Sequence, residues 1–73
     1  MRGAIGKRAA EEIRRNAYEN DVQLGFELDC LKSSFFCLYQ WEHGNVDPNA
    51  VTLSKMLKMG YDINYILLGE KVC

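Results

Sequence analysis

The stretch 33–69, SSFFCLYQWEHGNVDPNAVTLSKMLKMGYDINYILLG, decides the fold because it contains the start and stop signals of three successive helices. The first of these helices is predicted over residues 34–43. Ser33 and Ser34 offer an N-cap, and Gly44 lets the chain leave the helix end with a positive φ. Between these ends, apolar residues lie three apart, as they do along one face of a helix: Phe35, Leu38 and Trp41.

Two further helices are predicted from the same kind of signals. Asp47 is predicted to be the N-cap of a helix that has Pro48 at its first position and stops at Gly60. Asp62 is predicted to cap a short last helix, Ile63–Leu68, which the next glycine closes. The apolar residues of these two helices are expected to complete one side of the core: Leu53, Leu57, Ile66 and Leu67.

The first half of the chain predicts two more helices. Residues 7–18 follow an apolar stripe that recurs every four residues, and residues 21–30 alternate apolar and polar side chains. The alternation also suits a strand, but we prefer a helix because no second strand is available for pairing. Asn20 and Gln23 have the spacing of a capping box for this second helix. The sequence therefore predicts an all-α fold, a compact bundle of five short helices.

Length and composition limit the class of protein. A chain of 73 residues forms one small domain, without room for the deep cleft of most enzymes. We expect an N-terminal arm at 1–6, a helical domain at 7–70 and a C-terminal tail at 71–73. Three cysteines with no close pair do not form a disulfide framework, and no stretch resembles a signal peptide or a membrane span. A reduced, cytoplasmic protein without membrane contact is predicted.

The charge is small and unevenly distributed. Nine basic and ten acidic residues give a net charge of −1. Residues 1–20 hold five basic against three acidic side chains, whereas residues 21–73 hold four against seven. Because nucleic-acid-binding domains are usually basic, any contact with phosphate is expected from the N-terminal segment and from Lys32.

A series of residues in the second half follows the order and spacing of one family: Trp41-Glu42-x-Gly44, Pro48 and Leu67-Leu68-Gly69-Glu70. The series resembles the lambda-repressor-like helix-turn-helix family of phage repressors, small bacterial regulators and antitoxins, and the resemblance covers residues 12–70. It implies a sequence-specific transcriptional regulator whose helix 34–43 enters the major groove of double-stranded DNA. It also implies a homodimer, formed through Tyr65 and Leu68 or through the exposed aromatics of helix 34–43.

The sequence departs from the family pattern before helix 34–43. Counting back from the tryptophan without a gap places Leu28 at a small-residue position and Lys32 at the turn glycine. We favour three extra residues in a longer turn near residues 29–32, because Leu24-Gly25 then restores the small residue where two helices touch. With this count the resemblance implies a structural salt bridge between Glu42 and Arg14.

The resemblance assigns the DNA contacts by position. The residues expected at base edges are Ser34, Phe35, Phe36 and Gln40, with Tyr39 at the side. Gln40 can pair with adenine, whereas a phenylalanine offers only apolar contact, such as with a thymine methyl. Phe35 shares a face with Leu38 and is expected in the core, which leaves Phe36 exposed. The residues expected at phosphates are Lys32, Arg2, Lys7 and Arg8.

The main alternative is a protein-interaction module of the antitoxin or phage-adaptor type. It would use the exposed aromatics of helix 34–43, because exposed aromatic patches mark partner sites. His43 and the three cysteines lack the spacing of a zinc site, and no glycine-rich phosphate loop is present. The sequence therefore predicts no enzymatic activity, metal or cofactor.

Overall fold

Five helices and no strand form residues 4–69, which are the residues that the computed structural model describes. The helices are α1 Ala4–Glu19, α2 Leu24–Cys30, α3 Phe35–Glu42, α4 Ala50–Lys58 and α5 Ile63–Leu68. The predicted all-α bundle of five short helices is confirmed. Arg2, Glu70 and the predicted tail at 71–73 lie outside the described residues.

The core is built around α1, which contacts α2, α3 and α5. Ala9 and Ala10 are buried next to Ile13, and their small side chains let the neighbouring helices approach α1 closely. Around them pack the larger buried side chains: Leu28, Leu31, Leu38, Trp41, Met56, Tyr61 and Ile66. The predicted core roles of Leu57 and Leu67 are wrong, because both are exposed. Met56 is the fully buried residue of α4, and Leu57 points about 100° away around the helix.

The helix α1 begins at Ala4, so residues 4–6 of the predicted N-terminal arm are helical. Gly6 is buried against the connection between α3 and α4, where its N–H donates to Asp47 Oδ1 at 2.9 Å. A Cβ on Gly6 would lie 2.7 Å from the carbonyl oxygen of Val46, so only glycine fits this contact.

The Asp47 side chain therefore accepts a hydrogen bond from the first turn of α1 and does not cap α4. The N-cap of α4 is Asn49, whose Oδ1 accepts from the N–H of Thr52 at 2.9 Å. Pro48 is buried before this cap and lies outside the helix. The predicted pair of Asp47 as cap and Pro48 as first helical residue is wrong. Two residues able to cap, Asp47 and Asn49, lie on either side of Pro48, and the contact of Asp47 with Gly6 leaves Asn49 as the cap.

The connection between α1 and α2 is not a capping box. Asn20 Nδ2 donates back to the carbonyl and side-chain oxygens of Asn16, both at 2.9 Å. Asp21 takes a left-handed conformation with φ 53°. The N-cap of α2 is Gln23, which makes no side-chain cap bond, so α2 begins at Leu24 and is shorter than predicted.

Four residues, 31–34, connect α2 to α3. Lys32 lies in the left-handed region with φ 57°, at the position that the ungapped count gives to the turn glycine. Leu28 is fully buried at the position that the same count gives to the small residue. Asp29 and Cys30 still belong to α2, so the longer turn near residues 29–32 is wrong.

A buried polar cluster joins α1, α2 and the residue before the α5 cap. Glu27 is only 6% exposed and accepts from Asn16 Nδ2 at 3.0 Å and from the Tyr61 hydroxyl at 2.9 Å. Burial, followed by the hydrogen bond to Glu27, raises the pKa of Tyr61 far above its ordinary value. Glu12 is also buried and pairs with Arg15 through one carboxylate oxygen.

Candidate nucleic-acid interface

Of the two predicted N-cap candidates, Ser33 and Ser34, it is Ser34 that sets the start of α3. Its hydroxyl oxygen accepts from the N–H of Cys37 at 3.3 Å and lies 3.6 Å from the Cys37 sulfur. Hydrogen bonding with the Ser34 backbone and hydroxyl lowers the pKa of the Cys37 thiol. The Ser34 hydroxyl, expected at a base edge, is thus engaged in capping its own helix.

One face of α3 holds the helix to the core. Leu38 and Trp41 are buried on this face, and Cys37 packs partly against the same core. Phe35 was expected to join them, but it is exposed because it lies at the first helical residue, beyond the edge of the core. Its ring instead lies over α2, where a Cβ on Gly25 would be 3.6 Å from it.

The opposite side of α3, together with the neighbouring part of α2, presents four aromatic side chains to solvent. This aromatic surface consists of Phe26, Phe35, Phe36 and Tyr39, which are 62%, 60%, 68% and 52% exposed. Phe26 and Phe35 line a cleft of about 520 Å³ between the two helices, which Asp29 also lines. The prediction that only one of Phe35 and Phe36 is exposed is wrong.

Phe26 is the member of this surface that the sequence analysis did not single out. Apolar and polar residues alternate over residues 21–30, and a period of two does not show which side of a helix each residue faces. A helical period over α2 places Leu24, Leu28 and Leu31 on the inner side and Phe26 away from it. That period is the signal that would have identified it.

The end of α3 and the turn after it hold two of the predicted base-contacting residues in place. The ring of Tyr39 stacks on His43 with centroids 4.0 Å apart. Gln40 Oε1 accepts from Asn45 Nδ2 at 2.7 Å, which leaves the Gln40 amide N–H groups as donors. Gly44 makes the turn with φ 71°, as predicted.

The predicted salt bridge between α1 and α3 is confirmed. Arg14 Nε and Nη2 donate to the two carboxylate oxygens of Glu42 at 3.0 and 2.8 Å. Chiefly through these hydrogen bonds, Arg14 holds the pKa of Glu42 below its ordinary value. The pair fixes the C-terminal end of α3 against α1, beside the buried Trp41.

The predicted phosphate-contacting cations are dispersed. Lys32 is exposed in the turn before α3, and Lys7 is exposed on α1. Arg8 does not extend from the surface as expected. Its Nε and Nη2 donate to the carbonyl oxygens of Ile66 and Leu67 at 2.9 and 3.2 Å, because the end of α5 leaves these oxygens without helical partners. Residues 33–54 contain no lysine or arginine.

Comparison of the chain with family models, with curated proteins and with solved structures finds no match. Within residues 4–69, no group of three or more His, Cys, Asp or Glu side chains is placed to hold a metal ion. Over the same residues, no helix is both long and apolar enough to cross a membrane.

Proposed function

We propose that the protein is a DNA-binding transcriptional regulator, repressor-like and cytoplasmic, that places α3 in the major groove. The observation that carries the proposal is how α3 is held: Leu38 and Trp41 anchor one face, and the opposite face is open to solvent. A four-residue connection from α2 gives the two helices the local order of a helix-turn-helix unit. The resemblance to lambda-repressor-like regulators supports the same assignment.

The proposed DNA contacts are fewer than those expected from the sequence. Phe36, Tyr39 and Gln40 would face base edges, with Gln40 donating from its amide group. Lys32 and Lys7 would contact phosphates, and Arg2 remains a candidate. Arg8 is left out, because its hydrogen bonds stabilise the end of α5.

A homodimer on a two-fold DNA site is part of the proposal. The α5 helix supports it, since Leu68 is exposed at its end beside Leu67. Tyr65 on the same helix donates its hydroxyl to Glu11 at 2.8 Å and packs partly against the core, so Leu67 and Leu68 are the residues of α5 that would contact a second copy.

The test is fluorescence anisotropy with random duplex DNA at two salt concentrations. With Lys7 and Lys32 as the phosphate contacts of each protomer, affinity should fall about tenfold per protomer between about 50 and about 200 mM salt. Lys32→Ala should lower the slope of log affinity against log salt by about one, because one phosphate contact is lost. Lys58→Ala is the matched control, since Lys58 is an exposed lysine at the far end of α4. Absence of binding at the lower salt concentration would refute the proposal.

Protein binding is the second candidate, and the aromatic surface favours it. Three exposed rings belong to α3, which has no cation of its own, and Phe26 of α2 lines the same cleft as Phe35. Such a surface desolvates easily against another apolar surface and gains little from DNA phosphates. A monomeric protein that binds no duplex DNA, even at low salt, would favour this candidate.

A further inference from the structure

We infer that α3 recognises the C5-methyl groups of pyrimidines in the major groove, with Phe36 as the contacting residue. The inference rests on the proposed function, and it names the feature of DNA that the site would select. Phe36 is the most exposed aromatic of α3, at 68%. It lies three and four residues before Tyr39 and Gln40, so the three side chains share one side of the helix.

The chemistry of the major groove leaves one partner for such a side chain. Base edges there present donors and acceptors, except for the methyl group of thymine. A phenylalanine placed against any other edge would remove water from a polar atom without replacing its hydrogen bond. Against a methyl group it buries apolar surface on both sides, which is favourable.

The other residues of α3 are not suited to recognising guanine. Guanine is most often recognised by bidentate arginine or lysine, and α3 has neither. The Gln40 amide, held through its oxygen by Asn45, donates to an acceptor such as thymine O4 or adenine N7. A donor beside an apolar ring matches an A·T pair, which offers both the methyl group and these acceptors.

Phe35 and Gly25 explain why Phe36, and not its neighbour, is the contacting ring. The Phe35 ring rests over Gly25 on α2, at ordinary van der Waals distance from the position of a Cβ there. The Phe35 ring therefore lies along the side of α3 and lines the cleft together with Phe26. Phe36 is left as the ring that projects from the start of the helix.

Thymine and 5-methylcytosine carry the same methyl group, so the experiment separates them. The full chain is used to select duplexes from a random DNA library at low salt. In each enriched site, thymines are replaced one at a time by deoxyuridine, which lacks only the methyl group. In a parallel arm, cytosine and 5-methylcytosine are compared at the same positions.

At a contacted thymine, deoxyuridine should weaken binding about fourfold, the factor that corresponds to burying one methyl-sized group. Phe36→Ala should bind thymine and deoxyuridine sites equally, whereas Phe36→Leu should keep part of the preference. Tyr18→Ala is the matched control, because Tyr18 is an exposed aromatic on α1 and should change nothing. Tighter binding with 5-methylcytosine than with cytosine supports recognition of the methyl group in either base. An effect on affinity only when thymine is replaced by deoxyuridine supports thymine as the base that is recognised.

Two negative outcomes are distinguishable. Enriched sites that bind equally with thymine and deoxyuridine, or that are specified by G·C pairs, would overturn the inference and leave the DNA-binding function standing. A selection that enriches no sequence would overturn both.

Discussion

Tyr61→Phe tests the buried polar cluster that joins α1, α2 and the region before α5. The substitution keeps the ring and removes the hydroxyl that donates to Glu27 at 2.9 Å. A hydrogen bond to a charged group is worth about 1.5–3 kcal/mol, and here the carboxylate oxygen would stay buried without this donor. We expect the free energy of unfolding to fall by about 2 kcal/mol. In a domain of this size, that lowers Tm by roughly 8–16 °C in a calorimetric scan at neutral pH.

The same substitution should change how stability depends on alkaline pH. Burial and the bond to Glu27 raise the pKa of Tyr61 in the folded chain, whereas the unfolded chain titrates near the ordinary value of about 10. The stabilisation is therefore complete below about pH 10. It is lost above that pH, because the unfolded chain releases a proton that the folded chain retains, at up to about 1.4 kcal/mol per pH unit. The difference in the free energy of unfolding between the wild type and Tyr61→Phe should become smaller as the pH rises above 10.

Tyr18→Phe is the control for both measurements, since its hydroxyl belongs to an exposed side chain. The two proteins differ only at residue 61, so the other ionisable groups contribute equally and cancel in the comparison. If Tyr61→Phe unfolds within about 2 °C of the wild type and loses stability with the same alkaline slope, the hydrogen bond to Glu27 does not stabilise the fold.

Three further predictions concern contacts that position α3 and its neighbours. A double-mutant cycle of Arg14→Met and Glu42→Gln, followed by urea unfolding, should give a coupling of about 0.5–1 kcal/mol, since the pair is bidentate but partly exposed; zero coupling would contradict this. Gly6→Ala should destabilise by about 1–3 kcal/mol, because its Cβ would lie 2.7 Å from a backbone oxygen. Gly25→Ala is the control, because its Cβ would make only ordinary contacts at 3.6 Å; it should not destabilise, and it should add up to about 1 kcal/mol because alanine suits a helix better than glycine. Lys32→Gly should stabilise by about 0.5–1 kcal/mol by removing the left-handed strain at φ 57°, and an unchanged urea midpoint would show that no strain is present.

The helix ends that the sequence predicted correctly depend on neighbours along the chain. Ser34 and Asp62 each cap a helix by accepting from the N–H three residues later, so residue type and spacing were sufficient. Asp47 has the same capping ability, but its partner Gly6 lies 41 residues away. No local pattern distinguishes it from Asn49, which caps α4.

The sequence predicted the helix α3 and its salt bridge, since Arg14 pairs with Glu42 as expected. It predicted less well which side chains of α3 are exposed. The burial of Phe35 was predicted wrongly, because spacing gives the direction of a side chain and not how far the core extends along a short helix. Cys37 and the buried Leu38 and Trp41 are sufficient to fill the contact of α3 with the core.

The basic residues of α1 connect the stability of the fold with the character of the site. Arg8 was expected at phosphate, yet it is hydrogen-bonded to the end of α5. Arg14 and Arg15 are likewise hydrogen-bonded, to Glu42 and to Glu12. Moving Arg8 or Arg14 onto phosphate would break contacts that hold α5 and α3 in place. Under the proposed function, the attraction to DNA that is independent of sequence should therefore be weak. A regulator with this surface must obtain more of its affinity from base-edge contacts, which is the reason to seek its specificity in the apolar side chain of Phe36 and not in a cation.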